Sequence, residues 1–127
     1  VATMHKAKGL EGDRVYLTSL NAYDYPGDPK QDRFIAEKWY LHDQLNISME
    51  ACEEARCLVA NSPYLQSKAT YQARIDYIRE RLRLLFVGIT RAKRDLIVTW
   101  NTGRSGDIKP ALAFSALSEW WKENGDS

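Results

Sequence analysis

The sequence predicts an α/β fold with a mainly parallel sheet flanked by helices, and three stretches predict it. A run with helical periodicity, residues 69–92, lies between a short alternating apolar segment at 14–20 and a near-continuous apolar run at 95–100. Strand, helix and strand in that order need a crossover, and a crossover favours parallel pairing. Only two or three strands are evident in 127 residues, few for a sheet that stands alone. Residues 1–127 are therefore expected to be part of a larger domain, and Val1 in place of an initiator Met fits that expectation.

Each element has its own local reason. Residues 1–4 are read as a short strand. In "RVYLTSL", residues 14–20, Val15 and Leu17 share one face of a second strand. The stretch 21–32, "NAYDYPGDPKQD", holds two prolines, a glycine and four Asp or Asn, which predicts a loop with Asp32 as the next N-cap. Residues 33–61 read as helix, with a break near Asn46-Ile47-Ser48, and Ser62-Pro63 ends it. Over 69–92, Ile75, Ile78, Leu82, Leu85, Phe86 and Ile89 recur at spacings of three and four, giving one apolar stripe. "DLIVTW", residues 95–100, predicts a strand buried on both faces. After a loop at 101–109, Pro110 suits the first turn of a last helix bearing Leu112, Phe114, Leu117, Trp120 and Trp121. One of the two tryptophans is expected in the core and the other at an interface with the rest of the parent protein.

Composition narrows the class. Hydrophobic content of 44% and charged content of 28% are those of an ordinary globular domain. No apolar run is long enough to span a bilayer and no secretory leader pattern opens the chain, so a cytoplasmic protein without a membrane partner is expected. Cys52 and Cys57 lie five residues apart on a predicted helix, which points them to different faces, and they read as two buried, reduced thiols. Only His5 and His42 are available to join them, so no metal site is expected. His42 reads as a surface or satisfied core histidine. Tyr23, Tyr25, Trp39 and Tyr40 read as packing residues rather than base-stacking ones.

The net charge of +1 conceals a segregation. Residues 21–57 hold four Lys or Arg against eight Asp or Glu, whereas 58–94 hold eight against two. The basic block is able to meet phosphates and the acidic one repels them, but on charge alone the basic block reads as a solvated helix face rich in Arg.

Two stretches carry chemistry. In "TMHKAKGLEGDRVYL", residues 3–17, cationic side chains and one glutamate surround a Gly-Leu-Glu-Gly turn ahead of a strand. Glycine allows close backbone approach to a ligand, and free amides at such a turn attract anions, although taken alone the turn reads as a strand connection with exposed lysines. In "RLLFVGITRAKRDLIVTW", residues 83–100, an amphipathic helix ends at Thr90-Arg91-Ala92 and a strand follows. An arginine braced by packing is what an arginine finger requires, because a fixed planar guanidinium meets phosphate oxygens bidentately. The structural alternative is that Arg91 complements the dipole at the helix C-terminus.

Together the two stretches resemble motifs V and VI of the UvrD/Rep-like superfamily 1 DNA helicases. The resemblance is close over residues 1–20 and 80–100 and loose elsewhere. It implies a partial RecA-like, P-loop NTPase-like domain, the C-terminal part of the second such domain of a helicase. It implies that Thr3, His5 and Lys6 lie toward single-stranded or partly duplex DNA. It implies that Gly9 and Glu11 lie toward the nucleotide, with Glu11 near the ribose, and that Arg91 reaches the γ-phosphate. The sequence departs from the family at Gly12, where a bulky residue is usual. It departs again at Glu80-Arg81-Leu82-Arg83, where two acids and two arginines are usual.

Among the seven glycines there is no G-x-x-x-x-G-K-[ST] loop. ATP and Mg²⁺ are thus expected to be held mainly by an N-terminal helicase domain, in the same polypeptide or in a separate partner protein. This chain alone is not expected to turn over ATP. Two alternatives stand beside this reading: a non-catalytic nucleic-acid-binding or protein-interaction module that keeps the fold, and the helicase part of a helicase–nuclease.

Overall fold

A computed structural model describes residues 2–4, 6–7, 9–22, 24–27, the backbone of 41–42, 45–106 and 108–125. The elements are β1 (Gly12–Leu17), β2 (Leu41–His42), β3 (Leu45–Asn46), α1 (Ile47–Val59), α2 (Lys68–Ile89), β4 (Ala92–Val98) and α3 (Leu112–Asn124). The fold is α/β, consistent with a partial RecA-like domain. The chain forms two compact units, one made of 1–27 and 79–127, the other of 28–78.

In the first unit β1 and β4 pair in parallel, with Val15 opposite Leu96 and Leu17 opposite Val98. The register shifts between Gly12 and Arg14. Beyond the strands the backbone ladder continues, as Thr99 donates to the Leu17 carbonyl and Leu20 donates to Thr99, at 2.9 and 3.0 Å. Leu17, Leu20, Tyr25, Leu85 and Ala111 form the core, with Met4, Val15, Ile89, Val98 and Phe114 against it. Burying a leucine such as Leu85, 3% exposed, contributes about 2 kcal/mol. Gly88 lets α2 lie close on β1: a Cβ there meets Leu17 Cδ2 at 2.9 Å.

Several expectations are corrected. Residues 2–4 are not a strand: Thr3 accepts from the amides of Lys6 and Ala7, which closes a turn. Within the stretch 33–61 expected as helix, α1 bears out the part from Ile47 on, whereas 41–42 pair with 45–46 as β2 with β3; residues 33–40 and 43–44 lie outside the described residues. The break falls at Asn46, whose side chain accepts from Met49 N–H as the N-cap. The expected Asp32 cap, Tyr23, Trp39, Tyr40 and the side chain of His42 lie outside the described residues. Strand β4 is not buried on both faces, since Leu96 is 37% exposed. The apolar stripe of α2 is only half covered, with Leu85 buried and Leu82 and Phe86 exposed. Pro110 bridges to Asn21 before the Ala111 N-cap instead of entering α3. Trp120 and Trp121 are both exposed, and so is Cys52, while Cys57 is buried. The exposure of Leu82, Phe86, Leu96, Trp120 and Trp121 has one cause. Periodicity reports which face is apolar, and a two-strand sheet with two helices leaves apolar faces uncovered.

Candidate functional site

The amino ends of β1 and β4 bring the two chemical stretches together. Gly9 has φ +87, a left-handed conformation that favours glycine. No atom lies within 4 Å of where its Cβ would be, so the turn is open on that side. A little further on, the Gly12 amide donates to the Arg91 carbonyl at 3.0 Å, and Gly12 stands opposite Ala92. Glu11 and Arg91 therefore sit at the same edge of the strand pair. The Glu11 carboxylate meets Lys93 Nζ at 3.2 Å, with both side chains about half exposed.

Arg91 rests on its own helix. Its Nε donates to the Val87 carbonyl at 3.3 Å and its Nη2 to Thr90 Oγ1 at 3.3 Å. The guanidinium thus complements the dipole at the C-terminus of α2, as the structural alternative expects. Both contacts are long and have neutral acceptors, weaker than a charge-assisted pair with an oxyanion.

The carboxyl end of β1 is different. A pocket of about 400 Å³ is lined by Thr3, Met4, Tyr16, Ser19, Tyr25 and Arg81, among others. Thr3 is therefore not beside Glu11 and Arg91. It lies at the far end of a strand about 17 Å long. Tyr25 is buried, its hydroxyl against Met4 Sδ at 3.1 Å. Arg81 lies over the Tyr25 ring at 4.6 Å, and its Nε donates to the Asp24 carbonyl at 2.8 Å. Lys6 is exposed on the turn between the two ends. His5 lies outside the described residues.

Sequence reading missed Lys93, Arg81 and Gly88. Lys93 stood ahead of the strand expected at 95–100 and becomes the second residue of β4 only in the structure, while Arg81 was legible as a departure from the family pattern. Gly88 carried no signal beyond being a glycine inside a helix. Across the strands, Arg14 and Asp95 pair at 3.1 Å. Hydrogen bonding to Tyr16 and then to Asp95 raises the Arg14 guanidinium above its ordinary value.

In the second unit the notable group is Glu50, buried at 6% exposure. Tyr64 Oη donates to it at 2.5 Å, Thr70 Oγ1 at 2.6 Å and the Thr70 amide at 3.0 Å. Thr70 Oγ1 in turn accepts from the Asn46 amide at 3.0 Å. Burial pushes the Glu50 carboxyl up, but the hydrogen bonds from Thr70, Tyr64 and the Ser67 backbone outweigh it and hold the group below its ordinary value. The same contact pushes Tyr64 up to about 12, with burial and the Glu50 charge adding to it. Among the described residues no three His, Cys, Asp or Glu gather into a metal site, and no helix is long and apolar enough to cross a membrane.

The profile of the UvrD-like helicase C-terminal domain family matches residues 1–103. The chain is 31% identical over 99 residues to an ATP-dependent helicase/nuclease subunit of Oceanobacillus iheyensis, covering 77% of this chain and 7% of that protein. It is 29% identical over 128 residues to the ATP-dependent helicase/nuclease protein of the same name from Streptococcus suis, covering 97% of this chain and 10% of that one. It is 30% identical over 103 residues to exonuclease/helicase subunit RexA of Lactococcus lactis, covering 76% of this chain and 8% of that protein. The chain thus spans a tenth or less of the length of these relatives. It belongs to the UvrD-like helicase C-terminal domain family.

Proposed function

We propose, from this family membership, that the chain is the C-terminal portion of an ATP-dependent DNA helicase of the helicase/nuclease kind. In this reading it supplies an arginine finger and ribose contacts to a site that an N-terminal ATPase domain of the same polypeptide completes. The observation that carries the reading is the Gly12–Arg91 backbone bond, which holds the glycine turn and the Thr90-Arg91-Ala92 corner at one edge. In open α/β sheets a domain's own ligand sits outside the carboxyl ends of the strands. Groups offered at the amino ends face away from that crevice, which suits completing a neighbour's site.

The residues fit a nucleotide. The turn is open at Gly9, and the half-exposed Glu11 carboxylate accepts from hydroxyls. Arg91 exchanges its two weak contacts with Val87 and Thr90 for the γ-phosphate, and its charge stabilises the oxygens as transfer proceeds. Lys93, released from Glu11, stays beside the same anion. Mg²⁺, when bound, neutralises charge on the phosphates and is held by residues outside this chain. Thr3 at the opposite end of β1 lies toward single-stranded DNA, so segment 3–11 links strand and nucleotide. A change in the phosphate contacts at Arg91 is then transmitted along one short segment.

The test is Arg91→Ala in the full-length protein. DNA-stimulated ATP turnover is expected to fall about 10³-fold or more, with nucleotide affinity changed far less. Undiminished turnover rejects the finger.

A further inference from the structure

We propose that Lys93 couples the two ends of a bound nucleotide. It holds the Glu11 carboxylate while no γ-phosphate is present and leaves it for the phosphate when one arrives, so that the sugar hydroxyls are read fully only on a triphosphate. The nucleotide itself rests on the helicase reading above; the exchange rests on the geometry of the strand edge. Lys93 Nζ and Glu11 Oε2 are 3.2 Å apart, with the side chains 57% and 53% exposed. Glu11 precedes Gly12, Lys93 follows Ala92, and Gly12 stands opposite Ala92, so the register of β1 against β4 sets the pair.

The two cations of this edge are held differently. Arg91 donates to neutral oxygens, the Val87 carbonyl and Thr90 Oγ1, both at 3.3 Å. Lys93 meets a full negative charge. Only two residues separate them in sequence, at most about 7 Å of backbone. A phosphate that reaches Arg91 therefore comes within the sweep of the flexible four-carbon lysine stem. An ion pair this open to water is weakly held, and a polyphosphate carrying more charge than one carboxylate draws the ammonium away. Glu11 does not follow, because its charge has the phosphate's own sign. The freed carboxylate turns its acceptor sites to uncharged donors, and ribose hydroxyls are such donors. With a diphosphate the γ-position is empty, Lys93 stays on Glu11, and the hydroxyls compete with an ammonium for the same oxygens. Lys93 is thus a positioning residue, acting on the sugar through Glu11.

The experiment is titration calorimetry of the full-length protein with Mg²⁺ present. The ligands are the β,γ-imido triphosphate of adenosine, adenosine diphosphate, and the 2′,3′-dideoxy form of each. In wild type, loss of the hydroxyls is expected to weaken the triphosphate about ten-fold and the diphosphate only about three-fold, a difference of the size an exposed ion pair supplies. Lys93→Ala is expected to make the two penalties equal, whereas Lys93→Arg, which keeps the charge, is expected to keep them apart. Equal penalties in wild type, or a difference that survives Lys93→Ala, overturn the proposal. Should Lys93→Ala fail to fold, the wild-type comparison decides. Wild-type protein that does not bind the triphosphate, or Glu11→Ala that keeps the full dideoxy penalty, sinks the nucleotide reading itself. A penalty that vanishes in Glu11→Ala but ignores the number of phosphates in wild type sinks only the exchange.

Discussion

Glu11 and Glu50 are the same residue put to opposite uses. Glu11 stands half exposed at the edge of β1 and holds one lysine at 3.2 Å. Glu50 is 6% exposed in the other unit and takes hydrogen bonds from Tyr64 and twice from Thr70. A carboxylate that water can reach exchanges partners at little cost, whereas a buried one that loses a donor leaves polar groups stranded. Glu11 is left open to water and to exchange of partners, whereas Glu50 and its partners hold Asn46, Tyr64 and the start of α2 together.

Four substitutions break or sharpen that contrast. The largest effect is expected at Arg91→Ala, where turnover falls by orders of magnitude while the thermal melt of the full-length protein hardly moves. Glu50→Ala is expected to do the reverse. It strands the Tyr64 hydroxyl and the Thr70 amide and lowers stability by about 3 kcal/mol, read by urea unfolding, with turnover per folded molecule preserved. The sign of the pH dependence follows from the lowered Glu50 value: its contribution is present above the ordinary glutamate range and is lost as pH falls through the lowered one. Glu50→Ala should therefore flatten the acid limb of the stability curve. Tyr64, raised to about 12, contributes below the ordinary tyrosine range and loses that contribution as pH climbs through the raised value.

Gly88→Val drives side-chain atoms into Leu17 where even a Cβ meets Cδ2 at 2.9 Å, and a loss of about 2 kcal/mol is expected from the same unfolding measurement. If it melts like wild type, α2 does not press on β1. The smallest effect is expected at Lys93→Ala, which removes an ion pair between half-exposed side chains. Stability should change by about 0.5 kcal/mol or less. A large loss there would place Glu11 with Glu50 as a structural group and erase the contrast.

Legibility followed the range of the interactions. The long helix, the two strands of the first unit and the last helix were readable because their signals are local: a 3.6-residue stripe, a short apolar run, and apolar residues at helical spacing from Leu112 to Trp121. Asn46 was visible as a break but not as a cap, since a cap requires knowing which amide its side chain meets. The segment around 41–46 read as helix because nothing local distinguishes two paired residues on each side from one helical turn. Of the candidate site, Glu11 and Arg91 came from motif residues, but their adjacency comes from the register of Gly12 against Ala92.

By itself, then, the sequence determined the order of β1, α2, β4 and α3, the family, and which residue types could meet phosphates. Those are properties of residue type and short spacing, where propensity and periodicity act within one turn or one strand. Only the tertiary structure decided that Glu11 and Arg91 share an edge and that Thr3 sits at the other end of β1. It alone tied Arg81 to Tyr25 and buried Glu50. Each of these depends on contacts between residues far apart in the chain, and such contacts form only when packing brings the elements together.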